Sequence, residues 1–92
     1  MPYIEANLRS LLNPPLEQIE AILSASESDF EGILNYIISR LANHHLEKQG
    51  LRYANINRII GAIECSKHEI YRRLAAGYED VKAAENGDVF TL

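Results

Sequence analysis

Apolar side chains recur at helical spacing along most of the chain, and this pattern predicts an all-α fold. Pro14 and Pro15 suit the start of a helix, because the first N–H groups of a helix have no partner within it. One apolar stripe follows the two prolines: Leu16, Ile19, Ile22 and Leu23. The segment before them, from Tyr3 to Leu12, carries apolar residues at the same spacing, and we expect a short helix there.

A second helix is predicted from a start signal and a stop signal. Ser28 and Glu31 have the spacing of a capping box, in which each side chain accepts a hydrogen bond from the backbone of the other residue. Gly50 can take the left-handed conformation that ends a helix. The residues between them that we expect to face a core are Phe30, Ile33, Leu34, Ile37, Ile38 and Leu41.

The last helix is predicted to begin around Tyr53 or Ala54 and to end at Asn86-Gly87. Its apolar residues share one continuous side: Ile56, Ile59, Ile60, Ile63, Ile70, Leu74, Tyr78 and Val81. About thirty helical residues span ~45–50 Å, whereas a compact chain of this length has a radius of gyration of ~12 Å. The helix therefore either bends at Gly77 or has its overhang covered by another subunit. We favour the second, and thus a helical hairpin or small bundle that assembles as a homo-oligomer.

Composition predicts one small helical domain over residues 1–92, with residues 88–92 as an apolar tail that we expect to dock. The net charge of −4 argues against generic binding to nucleic acid or to an anionic membrane. No apolar run approaches the ~20 residues of a membrane span, and the first residues lack the features of a signal peptide. We therefore expect a protein of the cytoplasm, and a buried, unreactive role for the single Cys65.

Charge alternates in blocks along the chain. Residues 1–47 carry a net charge of −5, residues 48–73 carry +4, and residues 79–88 carry −3. The basic block is either a solvated helix face neutralised by its acidic neighbours or a compact anion site. An anion site for a small phosphate ligand needs only a few convergent guanidinium groups, whereas a nucleic-acid duplex needs an extended basic surface.

The arginines beside Tyr71 are the strongest candidates for such a site. Arg72 and Arg73 offer bidentate donors for phosphate, and the Tyr71 ring offers a face for a base. Glu69 lies four residues before Arg73 and His68 four before Arg72, so an ion-pair network is an equal alternative. The full set that we assign to ligand binding is Asn35, Tyr36, Arg40, Glu64, His68, Tyr71, Arg72 and Arg73.

The acidic end of the chain, residues 79–88, is assigned to contacts between subunits. A carboxylate near the last turn of a helix faces the negative end of the helix dipole, at a cost of ~0.3–1 kcal/mol. A partner must favour it, and we expect Arg40, Arg52 or Arg58 of another subunit rather than a ligand hydroxyl or a metal. The residues assigned to oligomer and tail contacts are Tyr78, Glu79, Asp80, Lys82, Asn86, Asp88 and Phe90.

No catalytic or metal-binding motif accompanies these residues. His44, His45 and Glu47 make a poor zinc site, because neighbouring side chains diverge on a helix. Glu17 with Glu20, and Glu79 with Asp80, lack the pattern of paired glutamates that hold magnesium in helical NTP pyrophosphatases. We therefore expect no enzyme activity, no metal and no cofactor.

A resemblance covers nearly the whole chain. It is carried by Asn35-Tyr36-x-x-x-Arg40-Leu41, by Glu69-Ile-Tyr-Arg-Arg73, by Tyr78-Glu-Asp-Val-Lys82 and by Glu85-Asn-Gly-Asp-Val89, with the opening Met-Pro-Tyr-Ile. These motifs resemble a family of small helical proteins carried by bacteriophages and prophages. The resemblance implies an all-helical fold and a phage context, with no settled activity.

The phage context shapes the expected function. Some small, helical, oligomeric phage proteins trap nucleotide-type messengers of bacterial immunity, and by analogy we expect this chain to sequester an anionic signal of host defence in the host cytoplasm. One alternative is a protein–protein inhibitor or adaptor of a host or phage enzyme. Another is a relative of the helical NTP pyrophosphohydrolases that has a degenerate metal site.

Overall fold

A computed structural model describes residues 1–26 and 29–92 and confirms the all-α class. Helix α1 spans Ala6–Ala25, α2 spans Phe30–Gln49 and α3 spans Tyr53–Ile70; a π-helical turn over Tyr71–Ala75 then leads directly into α4, Ala76–Asn86. The described ranges contain no strand. None of these helices combines the length and apolarity that crossing a bilayer requires.

Helix α1 begins earlier than its prolines predicted. The prediction of a helix start at Pro14 is wrong, because Pro14 and Pro15 both lie inside α1. Proline inside a helix removes one backbone donor and crowds the preceding turn, which costs ~3 kcal/mol. The carbonyls that lose their donors belong to Ser10 and Leu11, and both residues are exposed, so water can reach this stretch of the helix.

Asp29 caps the start of α2. Its side chain accepts a hydrogen bond from the Gly32 N–H at 3.1 Å, and its own φ of 65° is left-handed. The predicted capping residue, Ser28, lies outside the described residues. The predicted end is confirmed, because Gly50 has a φ of 105° and donates its N–H to the Leu46 carbonyl at 2.7 Å.

The predicted limits of the C-terminal helical region are also confirmed. The Asn55 side chain donates to the carbonyls of Gln49 and Gly50, at 3.2 and 2.9 Å, and so fixes the start of α3. Helical residues then continue without a gap to Asn86, where Gly87 takes a φ of 94° and donates its N–H to Ala83. The sequence did not predict the π turn within this run.

The described residues divide into two compact units. One is Pro2–Ile59, and the other is Ile60–Leu92 with Met1, so the boundary falls inside α3. No described side chain in either unit is buried. Most of the half-buried apolar side chains belong to Pro2–Ile59: Ile19, Leu23, Ile33, Ile37, Ile38, Ala42, Leu46 and Ile59. Those of the other unit are Ala75, Ala76 and Ala83.

This lack of burial corrects two predictions. Three members of the α2 stripe expected to face a core are exposed, with Phe30 at 56%, Leu34 at 43% and Leu41 at 65%. Cys65, expected to be a small buried hydrophobe, is exposed. The periodicity identified an apolar face correctly, but the described residues cover only part of it, since Ile33, Ile37 and Ile38 are half-buried.

Candidate functional site

Tyr71, Arg72 and Arg73 lie in the π turn, within the unit Ile60–Leu92. The turn is marked by the N–H of Ala76, which donates to the carbonyl of Tyr71 five residues earlier. A π turn is rare and occurs frequently at functional sites, because its extra residue redirects the side chains around it. The strongest sequence candidates therefore coincide with the one irregular turn of the C-terminal helical region, and all three side chains are exposed.

Arg72 holds a carboxylate through two hydrogen bonds. Its Nε donates to Glu69 Oε2 at 3.1 Å, and its Nη2 donates to Glu69 Oε1. This is the planar, bidentate geometry by which arginine binds carboxylate and phosphate. An ion-pair network was one of the two sequence interpretations, but it was expected to join Glu69 to Arg73. Residues three and four apart are both neighbours on a helix, so spacing alone did not identify Arg72 as the partner.

The Tyr71 hydroxyl donates to Glu79 Oε2 at 2.7 Å. This hydrogen bond, together with the negative charge of Glu79, raises the pKa of Tyr71, with smaller contributions from desolvation and from Asp80. Glu79 was assigned to contacts with another subunit. Within the chain it is already bonded to a candidate ligand residue, and sequence reasoning missed this pair because the two residues are eight positions apart.

The remaining candidates of this unit are Glu64 and His68, which precede the turn, and Arg73, which lies in it. The Glu64 carboxylate lies 3.5 Å from His68 Nε2 and 3.7 Å from Lys67 Nζ. Arg73 is exposed, and no side chain in residues 1–26 or 29–92 forms an ion pair or hydrogen bond with its guanidinium.

Asn35, Tyr36 and Arg40 belong to the other unit, Pro2–Ile59. Arg40 Nη1 donates to the Tyr36 hydroxyl at 3.0 Å, and the Arg40 guanidinium lies 5.8 Å from the centre of the Tyr36 ring. Asn35 is exposed. The motif therefore forms a local polar pair on α2, and its predicted role in ligand binding stays a prediction.

An open concavity of about 460 Å³ lies at the acidic end of the chain. Its lining residues are Glu79, Asp80, Lys82, Ala83, Gly87, Asp88, Val89 and Phe90. Three carboxylates against one ammonium make this concavity a poor match for an anionic ligand. Lys82 is also engaged, since its Nζ lies 3.3 Å from Glu85 and 5.7 Å from the centre of the Tyr78 ring.

The apolar tail is not docked on the residues that the structure describes. The Phe90 N–H donates to Asp88 Oδ1 at 2.8 Å, so the backbone turns just after Gly87, as predicted. Val89 and Phe90 nevertheless remain 87% and 76% exposed. Their predicted packing on a neighbouring subunit stays a prediction.

The histidines of α2 form no metal site in the structure. In the part of the chain that the structure describes, no three His, Cys, Asp or Glu side chains converge as metal ligands. The Nε2 atom of His45 is buried and has no hydrogen-bond partner there.

Comparison with known proteins identifies the family of this chain but no activity for it. A family model described as "Domain of unknown function (DUF6899)" matches residues 1–89. No curated protein and no solved structure matches the chain.

Proposed function

We propose that this chain, which belongs to the DUF6899 family, is a phage-encoded binding protein that sequesters an anionic, nucleotide-type signal of host defence. The phage context comes from the sequence resemblance. The ligand class comes from the residues of the π turn.

The observation that carries the proposal is the bidentate hydrogen bonding of Arg72. Its guanidinium binds the Glu69 carboxylate in the geometry that a phosphate would use. The pair is solvent-accessible, because the Arg72 side chain is 65% exposed and that of Glu69 is 22% exposed. A surface ion pair contributes little to stability, roughly 0–1 kcal/mol. A ligand phosphate would compete with the half-buried Glu69 carboxylate for the Arg72 guanidinium.

Tyr71 supplies the second half of the site. Its ring is exposed and its hydroxyl is fixed by Glu79. Tyr71 directly precedes Arg72 in the chain, and a fixed aromatic ring offers a base a surface on which to stack. In this proposal the ligand is held and not turned over, and the state of the released ligand tests this.

The test is a binding screen with cyclic dinucleotides, ADP-ribose derivatives and nucleoside triphosphates, followed by analysis of the released ligand. Arg72→Lys should weaken binding roughly tenfold, because an ammonium keeps the charge but loses one of two charged hydrogen bonds. Glu69→Gln should strengthen binding, because it removes the competing carboxylate. Arg58→Lys, an exposed arginine elsewhere in the chain, is the matched control and should change nothing.

The state of the released ligand separates the alternatives. Intact ligand means sequestration, and a processed product means that the protein is an enzyme. If Arg72→Lys and Glu69→Gln both bind as the unchanged protein does, the assignment of Arg72 is wrong.

A second candidate is a protein–protein inhibitor or adaptor of a host or phage enzyme. It is favoured by the exposed apolar side chains, since extended exposed apolar surface marks protein interaction sites. The absence of binding to every ligand class in the screen, combined with a stable complex with a host or phage enzyme, would favour it.

A further inference from the structure

Arg73 and Asp80 form a self-complementary pair of charges on the C-terminal helical segment. They lie seven residues apart on one continuous helical segment, with Arg73 in the π turn and Asp80 in α4. Their backbones are separated by about 10 Å along the axis, too far for them to pair with each other. Neither side chain has an ion-pair or hydrogen-bond partner among the described residues.

The order of the charges determines which orientation of a second copy fits. In a parallel pair of segments Arg73 would face Arg73, and Asp80 would face Asp80. In an antiparallel pair related by a two-fold axis near residues 76 and 77, each Arg73 faces the Asp80 of the other copy. The net charges of the flanking segments have the same order. Residues 67–73 hold three basic side chains and one acidic one, whereas residues 79–88 hold four acidic ones and one basic one.

An apolar strip of three side chains lies on the same segment as these charges. Leu74, Tyr78 and Val81 are spaced by four and three residues, and they are 68%, 66% and 55% exposed. Gly77 lies near the proposed two-fold axis, and no atom lies within 4 Å of the position that a Cβ would occupy there. The backbone at this point is open to a side chain from outside, which suits the close approach of a second helix.

We propose that two copies of this chain associate antiparallel through residues 70–83, with Leu74, Tyr78 and Val81 as the contact strip and Arg73 paired with Asp80 of the other copy. Charge complementarity selects the occupant, since a second copy presents the same strip with its charges in the reverse order. This association deepens the proposed function, because it leaves Tyr71 and Arg72 of each copy for the ligand and assigns Arg73 to the interface.

The first test is a charge swap followed by light scattering and sedimentation over a range of concentrations. Arg73→Asp and Asp80→Arg should each raise the dimer dissociation constant about tenfold or more, because like charges then face each other. The double variant Arg73→Asp with Asp80→Arg should restore the dissociation constant to within a few-fold of the original value. Neither residue touches a core, so all three variants should fold as the unchanged chain does.

Arg58→Asp is the matched control, because Arg58 was one of the three arginines that the sequence predicted as partners of the acidic end, with Arg40 and Arg52. It should leave the dimer dissociation constant unchanged. Loss of association in Arg58→Asp but not in Arg73→Asp would overturn the proposed interface, and so would failure of the double variant to recover. A chain that stays monomeric at high concentration would overturn it as well.

The second test determines orientation with the one native cysteine. Cys65 is exposed, so a spin label can be attached without further mutation. In the antiparallel dimer the two labels should be roughly 30–35 Å apart, twice their distance from the axis at 1.5 Å per residue. A distance below about 20 Å would indicate parallel pairing and would overturn the proposal.

The two proposals fail separately. Association is measured without ligand, and ligand binding is tested with Arg72→Lys. A dimer of the expected geometry that binds no nucleotide would reject the sequestration function alone. A monomer that binds nucleotide through Arg72 would reject the interface alone.

Discussion

Tyr71 and Glu79 connect the π turn to α4 through one hydrogen bond of 2.7 Å. The carboxylate favours the neutral phenol both as a hydrogen-bond acceptor and as a nearby negative charge, so it raises the pKa of Tyr71 above 10.0. The ring can then keep one orientation across the neutral pH range. A stacking surface with a fixed orientation loses less freedom on binding than a rotating one.

Titration of the tyrosines should detect this pair. The difference between the ultraviolet titrations of the unchanged chain and of Tyr71→Phe isolates Tyr71 from the other four tyrosines, and its midpoint should lie above 10.0. Because folding raises this pKa, the hydrogen bond's contribution to stability is fully present below pH 10 and is lost as pH rises through the raised pKa. Glu79→Gln should lower the midpoint toward the ordinary value. An unchanged midpoint in Glu79→Gln would mean that Glu79 is not the cause.

At the scale of elements, apolar spacing and glycines predicted most of what is observed. The starts near Phe30 and Tyr53 and the ends at Gly50 and Gly87 follow from local signals that act within one turn. Helix α1 was mispredicted because its prolines were interpreted as a start, although an exposed helix can continue through them. The π turn carries no signature in residues 71–75, since it changes the hydrogen-bond partner by one position and requires no particular residue.

The cap of α2 offers a prediction at this scale. The Asp29 carboxylate lies so close to Gly32 that a Cβ there would collide with it. Asp29→Ala should therefore destabilise α2 by about 1 kcal/mol. Gly32→Ala should also destabilise it despite the higher helix propensity of alanine, because the added methyl group displaces the cap.

Thermal unfolding followed by circular dichroism, with both single variants and the double variant, gives the coupling between the two positions. In the Asp29→Ala background no cap remains to be displaced. Adding Gly32→Ala to that variant should therefore raise the free energy of unfolding, by up to ~1 kcal/mol. Asp29→Asn keeps an acceptor and serves as the control. Additive effects of the two substitutions would show that Gly32 and the cap are independent.

At the scale of the whole molecule, the sequence predicted which residue types matter but not their partners. Arg72 and Tyr71 were identified from chemistry, whereas Glu69 and Glu79 were placed beside them only by the structure. The expectation of a core failed for a related reason. Periodicity shows which face of a helix is apolar, but it does not show whether that face is covered by the same chain or by another one.

The exposure of these faces makes stability depend on association. A folded domain of this size usually buries roughly 60–65% of the surface of its unfolded chain, yet no described side chain here is buried. If a second copy supplies the missing contacts, the midpoint of thermal unfolding should rise by about 3–6 °C for each tenfold increase in protein concentration. Arg73→Asp should weaken this dependence at micromolar concentration, whereas Arg58→Asp should retain it. Scanning calorimetry at several concentrations measures the effect, and a midpoint that is the same at every concentration would show that the single chain is stable without a partner.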